Sequence, residues 1–117
     1  MLREAVPWCL WVQEADWNGK PIAVFGVRPH QGIGVPWMLT TRHMERAASA
    51  AVAMAARAAV VRMRRDFSRL CNLVHRRNER AIRFVEALRF TVHRDTPRGP
   101  GEEFYLFDWE RRECAIR

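Results

Sequence analysis

The sequence predicts an α+β fold in which a largely antiparallel sheet is covered by two helices. Runs rich in β-branched and aromatic residues lie at both ends of the chain, and an alanine-rich stretch without glycine or proline lies in the middle. A second helical pattern lies between two later strand-like runs. A sheet buries its apolar faces only against another layer, so the helices must cover it. The predicted order is β-β-β-α-β-α-β-β, in one domain over residues 1–117.

The chain opens with a predicted hairpin. In WCLWVQEADWNGKPIAVFGV, residues 8–27, two apolar runs flank Asn18 and Gly19, which suit a two-residue turn. RPHQGIG, residues 28–34, is rich in turn-forming residues and is predicted to be a loop. VPWMLT, residues 35–40, is predicted to be a short buried strand with Pro36 at its beginning.

The alanine-rich stretch predicts the longest helix. Thr40 and Thr41 can act as N-caps for RHMERAASAAVAMAARAAVVRMRRDF, residues 42–67. Between Arg46 and Arg57 the one polar residue is Ser49, so the middle turns are apolar all round. Such a helix needs cover on more than one side. The two alternatives are packing on the sheet of the same chain and packing against a second protein chain.

The second half of the chain predicts strand, helix, strand and strand. FSRLCNLV, residues 67–74, is a strand candidate, as are residues 90–94, FTVHR, and residues 103–109, EFYLFDW. The last two are separated by an exposed connection, TPRGPGEE. In VHRRNERAIRFVEALRF, residues 74–90, apolar residues fall on one helical face and arginines on the other. The apolar face contains Ala81, Ile82, Phe84, Val85 and Leu88, and the arginine stripe contains Arg76, Arg80 and Arg83.

Composition favours a protein without a membrane span or a disulfide framework. No apolar run approaches the ~20 residues of a transmembrane helix, and no signal-peptide pattern opens the chain, so we expect a cytoplasmic protein. Cys9, Cys71 and Cys114 have no metal-ligand spacing, and we expect reduced thiols and no metal. The net charge of +7 predicts non-specific attraction to polyanions, to which the cluster Arg62, Arg64 and Arg65 could contribute.

Three runs of the sequence together resemble a known family. WNGKPIAVFGV, VPWMLTT and NLVHRRNERAIRFVEALRF are similar to the GNAT acyltransferases and, more narrowly, to small GNAT-like proteins of short-tailed bacteriophages, some of them internal virion proteins. Val74, Asn78, Ala81, Phe84 and Phe90 match the family pattern N-x-x-A-x-x-F/L-Y-x-x-x-G-F and the strand before it. The resemblance implies a mixed, mainly antiparallel sheet with two main helices, here without the usual N-terminal strand and helices.

The sequence departs from the family pattern at three functional positions. LTTRHMER, residues 39–46, contains no glycine where acetyl-CoA-dependent members carry a glycine-rich phosphate loop. Val85 occupies the place of the tyrosine that protonates the departing thiolate, and valine cannot donate a proton. Arg89 replaces the glycine before the terminal Phe90, which puts the close strand approach in doubt.

These departures favour a catalytically degenerate GNAT-fold bacteriophage protein that acts as a virion or virion-associated interaction module. Its expected partners are other virion or phage proteins or further copies of itself, its expected location is the virion or the host cytoplasm, and no cofactor or catalytic residue is assigned. Glu14, Asp16 and His43 are the candidate bases, but each is typical of an ordinary surface position.

Two alternatives stay open at this point. The first is an N-acyltransferase that uses acetyl-CoA, with water as the base. The resemblance then places the cofactor at a set of six residues: Met38, Leu39, Thr40, Thr41, Arg42 and Asn78. The second is a basic protein that associates non-specifically with nucleic acid, for which the sequence contains no recognition motif.

Overall fold

A computed structural model describes residues 9–40 and 49–112 and has the predicted α+β architecture. Six strands form one sheet in the order β1-β2-β3-β4-β6-β5. The β3–β4 pairing is parallel and the other pairings are antiparallel. The elements are β1 Trp11–Trp17, β2 Lys20–His30, β3 Ile33–Thr40, α1 Ser49–Asp66, β4 Arg69–His75, α2 Glu79–Ala87, β5 Thr91–Arg98, a short 3-10 helix Pro100–Glu102, and β6 Phe104–Glu110. The predicted order of elements is confirmed.

Two tight turns connect the first three strands. Asn18 and Gly19 have φ values of 51° and 77°, so the predicted two-residue turn between β1 and β2 is confirmed. The segment predicted as a loop over residues 28–34 is different in the structure, because β2 continues to His30 and β3 begins at Ile33. Gln31 and Gly32, with φ values of 50° and 80°, form the whole connection. The prediction was wrong because exposed polar residues at the end of a strand resemble a loop in sequence.

Pro36 lies inside β3 and not at its beginning. His30 and Ile33 close the two-residue turn as a hydrogen-bonded pair, so every second pair along the β2–β3 ladder is not hydrogen-bonded. Pro36, opposite Val27, occupies one of these positions. Its missing N–H therefore costs the β2–β3 ladder nothing, and its backbone faces β4 instead.

The long helix α1 buries one face against the sheet. Its buried residues are Val52, Ala56, Ala59, Val60 and Met63, which follow the spacing of one helical stripe. On the other side, Met54 is 69% exposed and Val61 is 50% exposed. The predicted cover on more than one side is thus not supplied within the described part of the chain. Residues 42–48 of the predicted helix, with the proposed cap Thr41, lie outside the described residues.

Both helices pack on the same face of the sheet. Buried residues of α1, together with Ile82 of α2, form one core cluster with inward-facing strand residues such as Phe25, Leu70 and Phe107. Adjacent strand residues point to opposite faces, so Leu39 and Leu73 lie on the other face, where they are 64% and 39% exposed. Among residues 9–40 and 49–112 no helix covers that second face, and none is long and apolar enough to cross a membrane.

The later elements begin and end close to their predicted positions. The strand predicted over residues 67–74 is β4, which begins at Arg69 and ends at His75. β5 continues to Arg98, so the first three of the eight residues of the predicted exposed connection are strand. Arg98 pairs with Phe104 of β6 after an irregularity in the register, and residues 94–97 have no partner in β6.

A Schellman motif ends α2 at Arg89. The N–H of Arg89 donates to the carbonyl oxygen of Glu86 at 2.9 Å, and the N–H of Phe90 donates to that of Val85 at 3.1 Å. Arg89 has a φ of 72°, in the left-handed region that favours glycine. Arg89, which stands where the family pattern has glycine, therefore adopts a backbone conformation that glycine favours. The chain reverses at this residue and enters β5 at Thr91.

Arg89→Gly is expected to stabilise the protein by about 0.5–1 kcal/mol, because relief of the left-handed strain exceeds the extra backbone entropy of glycine. Urea denaturation would measure the free energy of unfolding. Ala87→Gly, at an exposed helical position two residues earlier, is the matched control and is expected to lose about 0.8–1 kcal/mol. Equal losses in both variants would contradict the strain argument.

Candidate functional site

The site begins where β3 and β4 separate. Gly34 and Leu70 form the one β3–β4 pair among the described residues. Pro36 is the next residue whose backbone faces β4, and it has no N–H to donate. The side-chain Nδ2 of Asn72 donates to the Pro36 carbonyl oxygen at 2.7 Å instead. The backbone ladder thus stops, and the edge of β3 beyond Pro36 is open toward β4.

Met38 presents this open edge. It pairs with Phe25 at a position of the β2–β3 ladder that is not hydrogen-bonded, so its N–H and C=O point away from β2. An extended ligand with amide groups can hydrogen-bond to such an edge as a further strand would.

An open cleft of about 600 Å³ lies beside Met38. It is bounded by the end of β3, the first turns of α1 and the first turns of α2. The lining residues are Met38, Thr40, Ala50, Val52, Ala53, Asn78, Arg80, Ala81, Arg83 and Phe84. Small alanines widen the space between the helices, and the two arginines make its mouth positive.

The arginines at the mouth are available to a ligand. Arg80 and Arg83 are exposed, and within residues 9–40 and 49–112 their one ion pair joins Arg83 Nη1 to Glu79 Oε2 at 3.9 Å. The Arg83 and Glu79 side chains are 73% and 80% exposed, so this pair is weak. Guanidinium groups bind phosphate well because their planar donors match its oxygens. The mouth is therefore suited to an anion.

Asn78 connects the mouth to α2. Its Oδ1 accepts a hydrogen bond from the N–H of Ala81 at 3.1 Å, which makes Asn78 the N-cap of the helix. Its side-chain amide remains at the exposed rim. The sequence comparison matched Asn78 to the family pattern but did not identify this capping role, although Asn directly before a helix with Glu79 in its first turn is a recognisable N-terminal signal.

The inner end of the cleft is apolar. A second space of about 250 Å³ shares Met38, Ala81 and Phe84 with the outer cleft. Its other lining residues are Phe25, Pro36, Trp37, Ala56, Ala59, Val60, Met63, Asn72, Leu73, Val74, Val85, Leu88, Phe90 and Phe107. Among the described residues of this wall, Asn72 has the one amide side chain.

The predicted cofactor residues divide into three groups. Met38, Thr40 and Asn78 meet at the outer cleft. The side chain of Leu39 lies on the opposite face of the sheet. Thr41 and Arg42 lie outside the described residues. Arg80 and Arg83, which the sequence interpretation placed on an outer stripe, join the site because α2 turns that stripe toward the end of β3.

The candidate catalytic residues are not brought together. Glu14 and Asp16 are exposed on β1, which β2 and β3 separate from the cleft. His43 lies outside the described residues. Val85 lines the inner end of the cleft, and Tyr105 packs against the core from β6. The described lining residues include no carboxylate, imidazole or phenol.

The other histidines and cysteines form no metal site in the described part of the chain. His93 contacts Asp108 at 2.9 Å, and His75 lies 3.7 Å from Glu103. Cys9 and Cys71 are free thiols, and Cys114 lies outside the described residues.

Two of the three arginines in the cluster at the end of α1 pack against the protein itself, whereas Arg65 is exposed. Arg64 donates to the Leu88 carbonyl oxygen at 2.8 Å and lies 4.9 Å from the centre of the Trp109 ring, and burial lowers its pKa. Arg62 lies 4.2 Å from the centre of the Trp11 ring. These contacts favour a structural role for both arginines over a nucleic-acid surface.

Comparison with solved structures identifies the fold as the GNAT fold. The chain is similar to an acetyltransferase of the GNAT family from Streptococcus pneumoniae, with a TM-score of 0.66, 17% identity, and coverage of 85% of this chain and 66% of that one. PaiA N-acetyltransferase from Thermoplasma acidophilum, solved in complex with coenzyme A, gives a TM-score of 0.65 at 11% identity over 93% of this chain and 65% of that one. Ribosomal-protein-S5-alanine acetyltransferase from Vibrio fischeri gives a TM-score of 0.66 at 14% identity, with coverage of 94% of this chain and 66% of that one.

The chain thus spans just under two thirds of the length of these three proteins. The sequence itself matches no family model and no curated protein. The expected GNAT fold is confirmed, whereas the narrower resemblance to phage proteins stays a prediction.

Proposed function

We propose that this GNAT-fold chain binds a coenzyme A thioester in the β3–β4 cleft and transfers its acyl group to an amine. The observation that carries the proposal is the unpaired backbone edge at Met38, which opens into a cleft with two arginines at its mouth. The solved structures support it, because they are acetyltransferases and one contains coenzyme A. This function was the alternative in the sequence analysis.

The residues of the cleft fit the chemical groups of coenzyme A. Its pantetheine arm carries two amides, which match the N–H and C=O of Met38 as a strand would. Its phosphates match Arg80 and Arg83, since charge-assisted hydrogen bonds to guanidinium are strong. Thr40 and Asn78 supply neutral polar groups at the same rim. Thr41 and Arg42 stay in the proposal as further anion contacts.

The proposed chemistry is acyl transfer from sulfur to nitrogen. The C–N bond forms as the C–S bond breaks, and the proton lost by the amine balances the proton gained by the thiolate. Val85 cannot supply that proton, and the described lining residues include no other acid or base. We therefore assign both proton transfers to water, and assign the contribution of the protein to positioning.

The first experiment is calorimetric titration of the protein with coenzyme A and acetyl-CoA, followed by an assay for acyl transfer to amines. We expect saturable binding of both ligands. Absence of binding at millimolar ligand would overturn the proposal.

Met38→Pro tests the backbone contact directly. Proline removes the N–H that faces the cleft, but the β2–β3 ladder does not use this N–H, just as it does not use that of Pro36. Losing one hydrogen bond of about 1 kcal/mol predicts a coenzyme A Kd about fivefold higher, with the fold retained. Met38→Ala, which retains the N–H, is the matched control. If Met38→Ala weakens binding as much, the side chain and not the backbone makes the contact.

A non-catalytic interaction module is the second candidate function. Val85 in place of an acid, and exposed Leu39 and Leu73 on the sheet face without a helix, favour it. Its proposed partners are phage or virion proteins or further copies of the chain, in a virion or a host cytoplasm. A purified protein that binds coenzyme A but transfers no acyl group to any amine, and that forms defined multimers in light scattering, would favour the module over the enzyme.

A further inference from the structure

We propose that the preferred donor is an acyl-CoA whose apolar acyl chain is longer than acetyl, with the chain in the inner end of the cleft. This inference rests on the proposed function, because the outer cleft must first hold the coenzyme A portion. It adds the substrate class, which follows from the shape and chemistry of the inner wall.

The inner wall is built largely from core residues, which border a space that is open on one side. Phe25, Val60, Met63 and Phe107 are 3%, 6%, 2% and 7% exposed, yet they line a space of about 250 Å³. Protein interiors are close-packed, and voids much larger than a water molecule are few. A concave apolar wall of this kind favours apolar ligands, because binding removes apolar surface from water.

The volume of the inner space exceeds what an acetyl group needs. An apolar cavity of about 150 Å³ in another protein accommodates benzene, which has six carbons. A space of about 250 Å³ therefore accommodates a linear chain of about six carbons with room to spare. The single methyl of an acetyl group would leave most of it empty.

The chemistry of the wall selects an apolar chain over a charged one. Among the described lining residues the inner end contains no charged side chain that could pair with a dicarboxylic acyl group such as succinyl. The amide side chain of Asn72 already donates to the Pro36 carbonyl oxygen at 2.7 Å and accepts from the N–H of Leu73 at 2.7 Å. The indole N–H of Trp37 donates to the Cys9 sulfur. An uncharged straight-chain acyl group therefore fits the wall best.

The test is a chain-length series by calorimetric titration, with coenzyme A, acetyl-CoA, butyryl-CoA, hexanoyl-CoA and succinyl-CoA. Each buried methylene tightens binding by a factor of up to about four, so we expect hexanoyl-CoA to bind at least tenfold more tightly than acetyl-CoA. Succinyl-CoA is expected to bind no more tightly than acetyl-CoA. Equal Kd values for acetyl-CoA and hexanoyl-CoA would overturn this inference and leave the proposed function standing. Failure to bind any of the ligands, free coenzyme A included, would overturn both.

A pair of variants on α1 tests whether the acyl chain of the ligand lies in the inner end of the cleft. Ala59 is fully buried and lines the inner end, whereas Ala55, one turn earlier, lines neither part of the cleft. We expect Ala59→Val to reduce the preference for hexanoyl-CoA from tenfold to less than about threefold without changing the Kd of free coenzyme A, since larger side chains fill the space. Ala55→Val should leave the preference intact. An unchanged preference for hexanoyl-CoA in Ala59→Val would show that the acyl chain does not lie in the inner end of the cleft. If that variant does not fold, the chain-length series on the natural protein decides whether a longer acyl chain is preferred.

Discussion

Gly26→Val is expected to destabilise the protein by about 3 kcal/mol or more, which is a large part of the stability of a small domain. A Cβ at Gly26 would overlap Cζ2 of Trp37 and lie 2.5 Å from its Cε2. The obstacle is a rigid indole ring that lies across the neighbouring strand, and its Nε1 is held by a hydrogen bond to the Cys9 sulfur at 3.0 Å. Relief of this clash requires the indole to leave its position across Gly26 and to lose its hydrogen bond to Cys9.

Trp37→Ala provides the control for this clash. Removing the indole leaves a space that the valine can occupy, so the double variant Gly26→Val, Trp37→Ala should be more stable than the sum of the two single changes predicts. We expect a coupling free energy of at least about 1.5 kcal/mol in urea denaturation. Trp37→Ala and the double variant both lack the hydrogen bond to Cys9, so its loss does not contribute to the coupling free energy. Additive effects would show that the cost of valine has another origin.

Arg80→Glu combined with Arg83→Glu is expected to raise the Kd of coenzyme A about a hundredfold. The double change converts two cations at the mouth of the cleft into anions that repel phosphate, and charged hydrogen bonds contribute about 1.5–3 kcal/mol each. Calorimetric titration at low salt would measure the effect. The difference between the natural protein and the variant should shrink as salt is added, because the arginines are exposed.

The matched control is Arg98→Glu with Arg112→Glu. Both residues are exposed and line neither part of the cleft. The two double variants change the net charge equally, by −4, from +7 to +3. We expect the control to weaken coenzyme A binding less than about threefold, since distant charges act through screened electrostatics. Equal weakening in both variants would assign the binding to general attraction of a basic protein and not to the cleft.

The GNAT fold alone does not decide whether the protein binds coenzyme A or whether it transfers an acyl group. The similar solved structures are acetyltransferases, but identities of 11–17% establish an architecture, and catalysis depends on the residues of the site. In this chain the backbone edge and the positive mouth are present, whereas the phenol that the family pattern places at Val85 is absent. Binding and turnover are therefore separate questions, and the calorimetric experiments answer the first without requiring the second.

Local patterns in the sequence determined the elements and their order. The turn at Asn18 and Gly19 requires positive φ values that these residues adopt at little cost. The alanine-rich run of α1 and the apolar stripe of α2 each specify a helix through contacts between residues three or four positions apart. Each prediction depends on interactions within a short stretch, so the sequence was sufficient.

The tertiary structure decided what depends on pairing between distant segments. Pro36 is tolerated in mid-strand because of its register with Val27, and the same register turns the Met38 backbone toward the cleft. Arg80 belongs to the site because α2 lies beside the end of β3. The inner end of the cleft lies where β3 and β4 separate beyond Gly34 and Leu70, beneath the two helices that share this face of the sheet. Register and packing join residues that are far apart in the chain, and no local pattern encodes such distances.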